Sequence, residues 1–176
     1  MTTQLSVKRL THSDLTLFKS YFYDQKASGH SESKQKGINL NADVFIGEHY
    51  PQLAAIAALT EHRVPLDTYF QGPGIQPILN LQRKALKPKG AKNWRLNGEL
   101  VEDNDNPDRF RPLSPGDLAL FEFNGQPAPT NLRLFLFSRN VVEDASAHGV
   151  LDVWLGDRKM AAIKGRELEQ LLSSVV

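Results

Sequence analysis

Two short segments of the chain concentrate the residue types that bind polyanions. Residues 26–36 hold three lysines and a histidine against the single acid Glu32, and residues 81–98 hold six Arg and Lys residues without an acid. A local positive potential of this kind attracts phosphate-rich partners such as nucleic acids. The cations are Lys26, His30, Lys34 and Lys36 in the first segment, and Arg83, Lys84, Lys87, Lys89, Lys92 and Arg95 in the second.

The ten residues after the second segment carry the opposite charge. Residues 99–108 contain five acids and no base, so the basic and acidic blocks nearly cancel. The whole chain, with 21 Lys and Arg against 20 Asp and Glu, therefore has a formal net charge of only +1. Two interpretations stay open at this point. The basic block forms a polyanion-binding surface, or the two blocks pair internally in a protein-interaction module.

Motifs for catalysis and metal binding are weak in this chain. There is no cysteine, which excludes disulfides, thiolate zinc sites and cysteine nucleophiles. The acids Asp103, Asp105 and Asp108 lack the closing glutamate of a calcium loop. Asp117 and Glu122 lack the acid-x-Lys unit of a restriction-type nuclease. We therefore expect no catalytic residue, no metal site and no cofactor, with a cryptic hydrolytic site as the enzyme alternative.

The length and strand patterns predict one mainly β domain. A chain of 176 residues with 40% apolar and 23% charged residues is of ordinary globular composition and fits a single domain, residues 1–176. Residues 4–10 alternate like a strand, and residues 118–123 and 132–138 form the strongest predicted hairpin. Seven or eight short strands with few helices predict an open antiparallel barrel or sandwich of the α+β type.

Several weaker patterns give further expectations. Residues 21–23, 76–84 and 151–155 suggest strands, and residues 87–91 suggest a loop. Residues 13–19 suggest a helical turn capped by its serine.

No segment of the sequence is suited to a membrane or to secretion. The longest apolar run, residues 53–59, is far shorter than the roughly 20 residues that cross a bilayer. The first ten residues lack an apolar signal region. We expect a cytoplasmic protein without a membrane partner.

Four segments occur in an order that points to one family. A basic strand at 6–14 (SVKRLTHSD) precedes a polar arm at 30–39 (HSESKQKGIN) and a basic arm at 83–98 (RKALKPKGAKNWRLNG). The strand pair at 116–138 and the sequence Val142-Glu143-Asp144 follow. This order resembles the N-terminal DNA-recognition domain of EcoRII-type restriction endonucleases. That family has a DNA-binding pseudobarrel fold, shared with a class of plant transcription factors.

The resemblance, which covers roughly residues 5–155, implies a function and a set of site residues. In that family an N-arm and a C-arm grip the major groove of double-stranded DNA, and the matching segments here are residues 28–36 and 83–95. It implies an open pseudobarrel with short peripheral helices, which recognises a DNA sequence while the nuclease domain or subunit lies outside this chain. The implied DNA-binding residues are His30, Ser31, Glu32, Ser33, Lys34, Gln35 and Lys36 in the N-arm, and Arg83, Lys84, Lys87, Lys89, Lys92, Asn93 and Arg95 in the C-arm.

The chemistry of the C-arm side chains suggests a division of roles. Arg and Asn match the base edges of the major groove, whereas lysines mainly contact phosphates. We assign base reading to Arg95 and Asn93, and phosphate contacts to Lys84, Lys87 and Lys89. Trp94 either anchors the arm in the core or inserts between bases, and the core position is the more common one.

Two other binding functions remain as alternatives. Basic loops also suit an RNA-binding barrel, for which exposed aromatic residues on a strand face would be evidence. A reader of modified bases such as methylcytosine would need an aromatic pocket for a flipped base, and Tyr21, Tyr23 or Tyr69 could form one.

Overall fold

The computed structural model describes residues 3–29, 36–90 and 92–175, which form eight strands and six short helices. The strands are β1 (Thr3–Arg9), β2 (Gly37–Asn41), β3 (Val64–Gln71), β4 (Gln82–Lys89), β5 (Asn93–Gly98), β6 (Leu118–Asn124), β7 (Asn131–Phe137) and β8 (Met160–Ile163). The helices are α1 (His12–Leu15), α2 (Lys19–Ala27), α3 (Ala42–Phe45), α4 (Leu53–Leu59), α5 (Ala145–Leu155) and α6 (Gly165–Val175), with a 3-10 turn at Val142–Asp144.

All eight strands join one mixed sheet that curls into a nearly closed barrel. The order across the sheet is β2-β5-β4-β3-β7-β6-β1-β8. Neighbouring strands are antiparallel except for β3 and β7, which are parallel. The seam between the edge strands β2 and β8 stays open. The predicted mainly β fold with an open barrel and short peripheral helices is confirmed.

The strands form a barrel because their apolar residues alternate. In β3 every second residue from Val64 to Phe70 is buried, and the residues between them are partly or fully exposed. The inward side chains make one large core cluster, which includes Phe121 and Phe123. A second cluster lies outside the barrel wall, where α5 and α6 cover β1, β6 and β8.

A buried ion pair holds the two sides of the seam together. Lys8 in β1 and Asp14 in α1 lie 2.7 Å apart, Nζ to Oδ2, and both are almost fully buried. The same Nζ donates to the carbonyl of Asn39 in β2 at 2.6 Å, and the N–H of Asn39 donates to Asp14 Oδ1 at 3.1 Å. Thr11 caps α1 and receives a hydrogen bond in a reciprocal capping box with Asp14, which fixes the carboxylate. The cap is thus Thr11 and not the predicted Ser13.

Helix α3 fills the rest of the seam. It follows β2 directly and contacts β1, β2 and β8. Gln4 Nε2 in β1 donates to the carbonyl of Val44 in α3 at 3.2 Å. An unpaired sheet edge exposes backbone donors and acceptors, and this helix covers part of that edge.

Several predicted elements are wrong in type or position. Residues 21–23 lie in helix α2, and residues 151–155 end helix α5, in which His148, Leu151 and Leu155 are buried at helical spacing. The strand predicted at 76–84 begins at Gln82 and continues through the predicted loop to Lys89. Alternation over five residues is too short to separate a strand from one face of a helix.

The described residues contain no helix that is both long and apolar enough to cross a membrane.

Substitution of Asp14 in the buried ion pair should destabilise the fold more than substitution of a residue in a more accessible ion pair. Asp14→Ala leaves the Lys8 ammonium buried without a counter-ion, so we expect a loss of about 3–5 kcal/mol in the free energy of unfolding. Urea denaturation followed by circular dichroism measures it. The matched control is Arg9→Met, because the ion pair of Arg9 with Asp152 is solvent-exposed and should cost no more than about 1 kcal/mol. Equal losses in the two variants would contradict this role for Asp14.

Candidate nucleic-acid interface

The C-arm is a β-hairpin and not the loop predicted from the sequence. Strands β4 and β5 pair antiparallel from Lys84–Gly98 to Lys89–Asn93, and β2 pairs with the other side of β5. The predicted loop residues 87–89 belong to this ladder, and the turn follows at Gly90. The hairpin is therefore an integral part of the sheet, with β2 paired along β5 and β3 paired along β4.

The two faces of the hairpin have opposite character. Trp94 and Leu96 point inward and are buried, and the Trp94 ring meets Phe45 edge-on at 6.3 Å between centroids. The expectation that Trp94 anchors the arm in the core is confirmed. The alternating residues of β5, including Arg95 and Asn97, face outward. Burial of the inner face thus fixes which side chains the outer face presents.

The outer face carries a transverse row of polar and cationic residues. In the sheet register Asn39 of β2 lies opposite Arg95 of β5, which in turn lies opposite Lys87 of β4. Arg63 immediately precedes β3, one residue before the Val64–Leu86 pair, and so lies beside Lys87. We call Arg95, Lys87 and Arg63 the cationic row.

A depression lies at the base of the hairpin. It has a volume of about 320 Å³, and it is lined by the whole cationic row together with Lys36, Asn97 and Gly98. A side-chain carbon at Gly37 would lie 2.3 Å from Asn97 Oδ1, so only glycine leaves room for the carboxamide there. Of the residues that the sequence predicted to bind DNA, Lys36, Lys87 and Arg95 come together at this place.

The N-arm ends beside this depression. Helix α2 ends at Ala27 and Gly29 turns the chain with a φ of 72°. The predicted residues His30, Ser31, Glu32, Ser33, Lys34 and Gln35 lie outside the described residues. Lys36 lines the depression, and its Nζ lies 5.0 Å from the centre of the Phe22 ring in α2. This cation–π contact links the end of the arm to helix α2.

The hairpin tip presents the remaining C-arm residues to solvent. Lys89, Lys92 and Asn93 are exposed, and Asn93 lies opposite both Lys89 in β4 and Asn41 in β2. Arg83, at the other end of β4, is exposed but lies directly opposite Asp67 in β3. The Asp67 carboxylate reduces the positive potential at Arg83, so the tip is the more favourable place for a phosphate.

Lys84 does not fit its predicted phosphate contact. It points into the barrel, is 4% exposed and donates from Nζ to the carbonyl of Glu99. Burial lowers the pKa of Lys84 to about 8, and the Glu99 carboxylate acts weakly in the opposite direction. The reason is the strand period: Arg83 and Lys84 are adjacent, so only one of them can face outward. We therefore remove Lys84 from the proposed contact residues.

Three of the five acids in the acidic block pair with cations outside the hairpin. Glu102 pairs with Lys19 at 2.9 Å, and Asp103 pairs with the buried Arg109 at 3.2 Å. Asp108 pairs with Arg111 at 2.6 Å. These pairs weigh against the interpretation in which the acidic and basic blocks neutralise each other.

Sequence reasoning missed Arg63, Asn39 and Asn97. Arg63 is separated from the basic segment by seventeen residues, and only the pairing of β3 with β4 brings it beside Lys87. Asn39 ends the polar segment 30–39, and its Oδ1 accepts a hydrogen bond from Arg95 Nε at 3.1 Å. The alternation of apolar and polar residues in INLN of β2 is the sequence signal that predicts an outward-facing Asn39.

The other candidate sites receive no support from the geometry. The described residues include no group of three or more His, Cys, Asp or Glu side chains that could hold a metal. Tyr21 shares a hydrogen bond with His12, and Tyr23 lines a separate depression beside Asp24 and Glu102. Tyr69 lies in β3, so the three tyrosines do not form one pocket.

In comparisons with known proteins, no family model matches this chain, and no curated protein matches it at a significant level.

Lys84 predicts how stability depends on pH. Its pKa of about 8 in the folded state lies below that of an unfolded lysine, so between these values the unfolded chain binds the extra proton. The free energy of unfolding should therefore rise from pH 7.5 to 10, by about 2 kcal/mol more in the wild type than in Lys84→Met. Urea denaturation at each pH measures it. Parallel pH profiles for the two proteins would rule out the buried ammonium.

Proposed function

We propose that this domain binds double-stranded DNA across the outer face of β2, β5 and β4. The cationic row is the observation that carries the proposal, because it joins three strands into one positive surface at the base of both arms. Phosphate neutralisation by Arg and Lys supplies most of the affinity of such a surface. The β4–β5 hairpin would act as the C-arm, and residues 28–36 as the N-arm.

The shape and the side chains favour a duplex over single-stranded RNA. Recognition of unpaired bases depends on exposed aromatic rings that stack on them. Among the described residues the one aromatic with a largely exposed side chain is Tyr23, which lies in α2 and not on a strand. The major groove admits a two-stranded β-ribbon, and the exposed turn of the β4–β5 hairpin is the part of this sheet that could enter it.

The side chains at this surface can both position a duplex and read its sequence. Five cations are suited to phosphate contacts. The ammonium groups of Lys36, Lys87, Lys89 and Lys92 act as point charges, and the guanidinium of Arg63 can donate two parallel hydrogen bonds. Arg95 and Asn93 retain the base-reading roles assigned from the sequence, because guanidinium and carboxamide groups match guanine and adenine edges. His30, Ser31, Glu32, Ser33, Lys34 and Gln35 of the N-arm belong to the same proposal.

The finer form of the proposal comes from the resemblance stated above. The domain would be the sequence-recognition part of a restriction endonuclease or a related defence system in the cytoplasm. The nuclease domain or subunit would lie outside this chain. The barrel with its open seam and short helices agrees with a pseudobarrel of that kind.

The phosphate contacts predict a steep salt dependence. Six cations at the surface imply a log–log slope of affinity against salt on the order of −5 for duplex DNA. Replacing both Lys89 and Lys92 by Gln should reduce the magnitude of the slope by about 2. Fluorescence anisotropy with a labelled duplex measures it, with Lys159→Gln and Lys164→Gln together as the charge-matched control. A slope near zero for the wild type would count against duplex binding.

The assigned roles predict different effects of two neighbouring substitutions. Arg95→Ala should relax the preference at one base pair, by about 1–3 kcal/mol of lost discrimination, whereas Lys87→Ala should weaken binding equally for all sequences. Competition between the preferred duplex and its single-base variants measures both. If Arg95→Ala weakens every sequence to the same extent, its base-reading role is wrong.

A further inference from the structure

The depression at the base of the hairpin collects positive charge from four places in the chain. Lys36 enters it from the end of the N-arm, Lys87 and Arg95 from the hairpin, and Arg63 from the start of β3. The described residues that line it include no acid, and the remaining polar side chain is that of Asn97. Such a set of groups matches the chemistry of a phosphate or sulfate ion.

The sheet places two of these cations directly opposite each other. Three cross-strand pairs in the described sheet join two charged residues, and two of them are complementary: Asp67 with Arg83, and Glu122 with Arg133. The third pair, Lys87 with Arg95, has like charges. Like charges in directly opposite positions destabilise a sheet, and an anion lying between them reverses the sign of that effect. The like-charged pair, Lys87 with Arg95, thus lies in the depression.

Two of the lining groups, Arg95 and Lys36, are oriented by contacts within the protein. Asn39 Oδ1 accepts from Arg95 Nε at 3.1 Å, which orients the guanidinium. The backbone of Asn39 is held on both sides by the buried Lys8–Asp14 pair. Lys36 stands over the Phe22 ring. A site whose donors are already ordered loses less conformational entropy on binding.

We propose that this depression is a binding site for a single phosphate group. The guanidinium group of Arg63, the ammonium groups of Lys36 and Lys87 and the carboxamide of Asn97 would be its donors, and Arg95 would add its positive charge while it keeps its proposed contact with a base edge. In the duplex complex the group would be one backbone phosphate, bound independently of sequence. That identification of the source rests on the proposed function, whereas the anion chemistry of the site does not.

Titration of the isotope-labelled chain with inorganic phosphate tests the site itself. Amide and side-chain NMR signals of residues 36, 63, 87, 95 and 97 should shift and saturate with phosphate, but not with chloride at equal ionic strength. Arg63→Gln should weaken phosphate binding about tenfold, since a charge-assisted guanidinium contact is lost. Arg63 is exposed and precedes β3, so the substitution leaves the core intact.

The matched control is Arg166→Gln, an exposed arginine in α6 that makes the same change in net charge. It should bind phosphate like the wild type. Shifts that do not exceed those with chloride, or equal phosphate affinity in the Arg63 and Arg166 variants, would overturn the site.

A parallel titration with duplex DNA identifies the source of the phosphate. If the source is the backbone, Arg63→Gln should weaken all duplex sequences by the same factor, and inorganic phosphate should compete with the duplex beyond its ionic-strength effect. If phosphate saturates the site and no duplex binds, the anion site stands, the proposed function fails and a small phosphorylated ligand is the source. If the duplex binds wild type and Arg63→Gln equally without saturable phosphate shifts, the proposed function stands and the anion site is refuted.

Discussion

A sheet that curls almost into a closed barrel must hold its two edge strands together without pairing them. Here the Lys8 ammonium, the Asp14 carboxylate and the backbone of Asn39 form a buried network that joins the edge strand β2 to α1 and to β1, the neighbour of the other edge strand β8. Burial lowers the pKa of Lys8, and the Asp14 carboxylate opposes that effect. Removing one partner costs more than the pair contributes, because it leaves the other charge buried.

The same network reaches the proposed interface. Asn39 is held at its backbone by the Lys8–Asp14 network and at its side chain by Arg95, so the position of the guanidinium depends on that network. The inner face of the hairpin is equally constrained, since Trp94 packs on Phe45 while Arg95 faces outward. A register shift of one residue would expose the tryptophan and bury the arginine. Fold stability and the arrangement of the cationic row therefore have a common structural origin.

The sequence was informative wherever a signal was local. The basic segments, the hairpin of residues 118–137 and the inward position of Trp94 follow from composition, alternation and residue type. The inward direction of Lys84 does not, because two adjacent cations carry no signal for which one faces the core. The helical residues 151–155 were mistaken for a strand, although His148, Leu151 and Leu155 have helical spacing.

The sequence alone predicts only part of the cationic row. Lys87 and Arg95 lie in one basic segment, but their placement in directly opposite positions needs the register of β4 and β5. Arg63 joins them through the pairing of β3 with β4, although it precedes Lys87 by 24 positions in the sequence. Long-range pairing of this kind is set by the tertiary structure and not by any local pattern.

Selection from a pool of randomised duplexes tests the central claim most directly. The wild-type chain is mixed with the pool at two salt concentrations, and a single-stranded RNA pool of equal length is treated in parallel. The account predicts that bound duplexes become enriched in one short sequence and that binding weakens steeply as salt increases. Retention of the RNA pool without the duplex, or no retention of either at low salt, would contradict it.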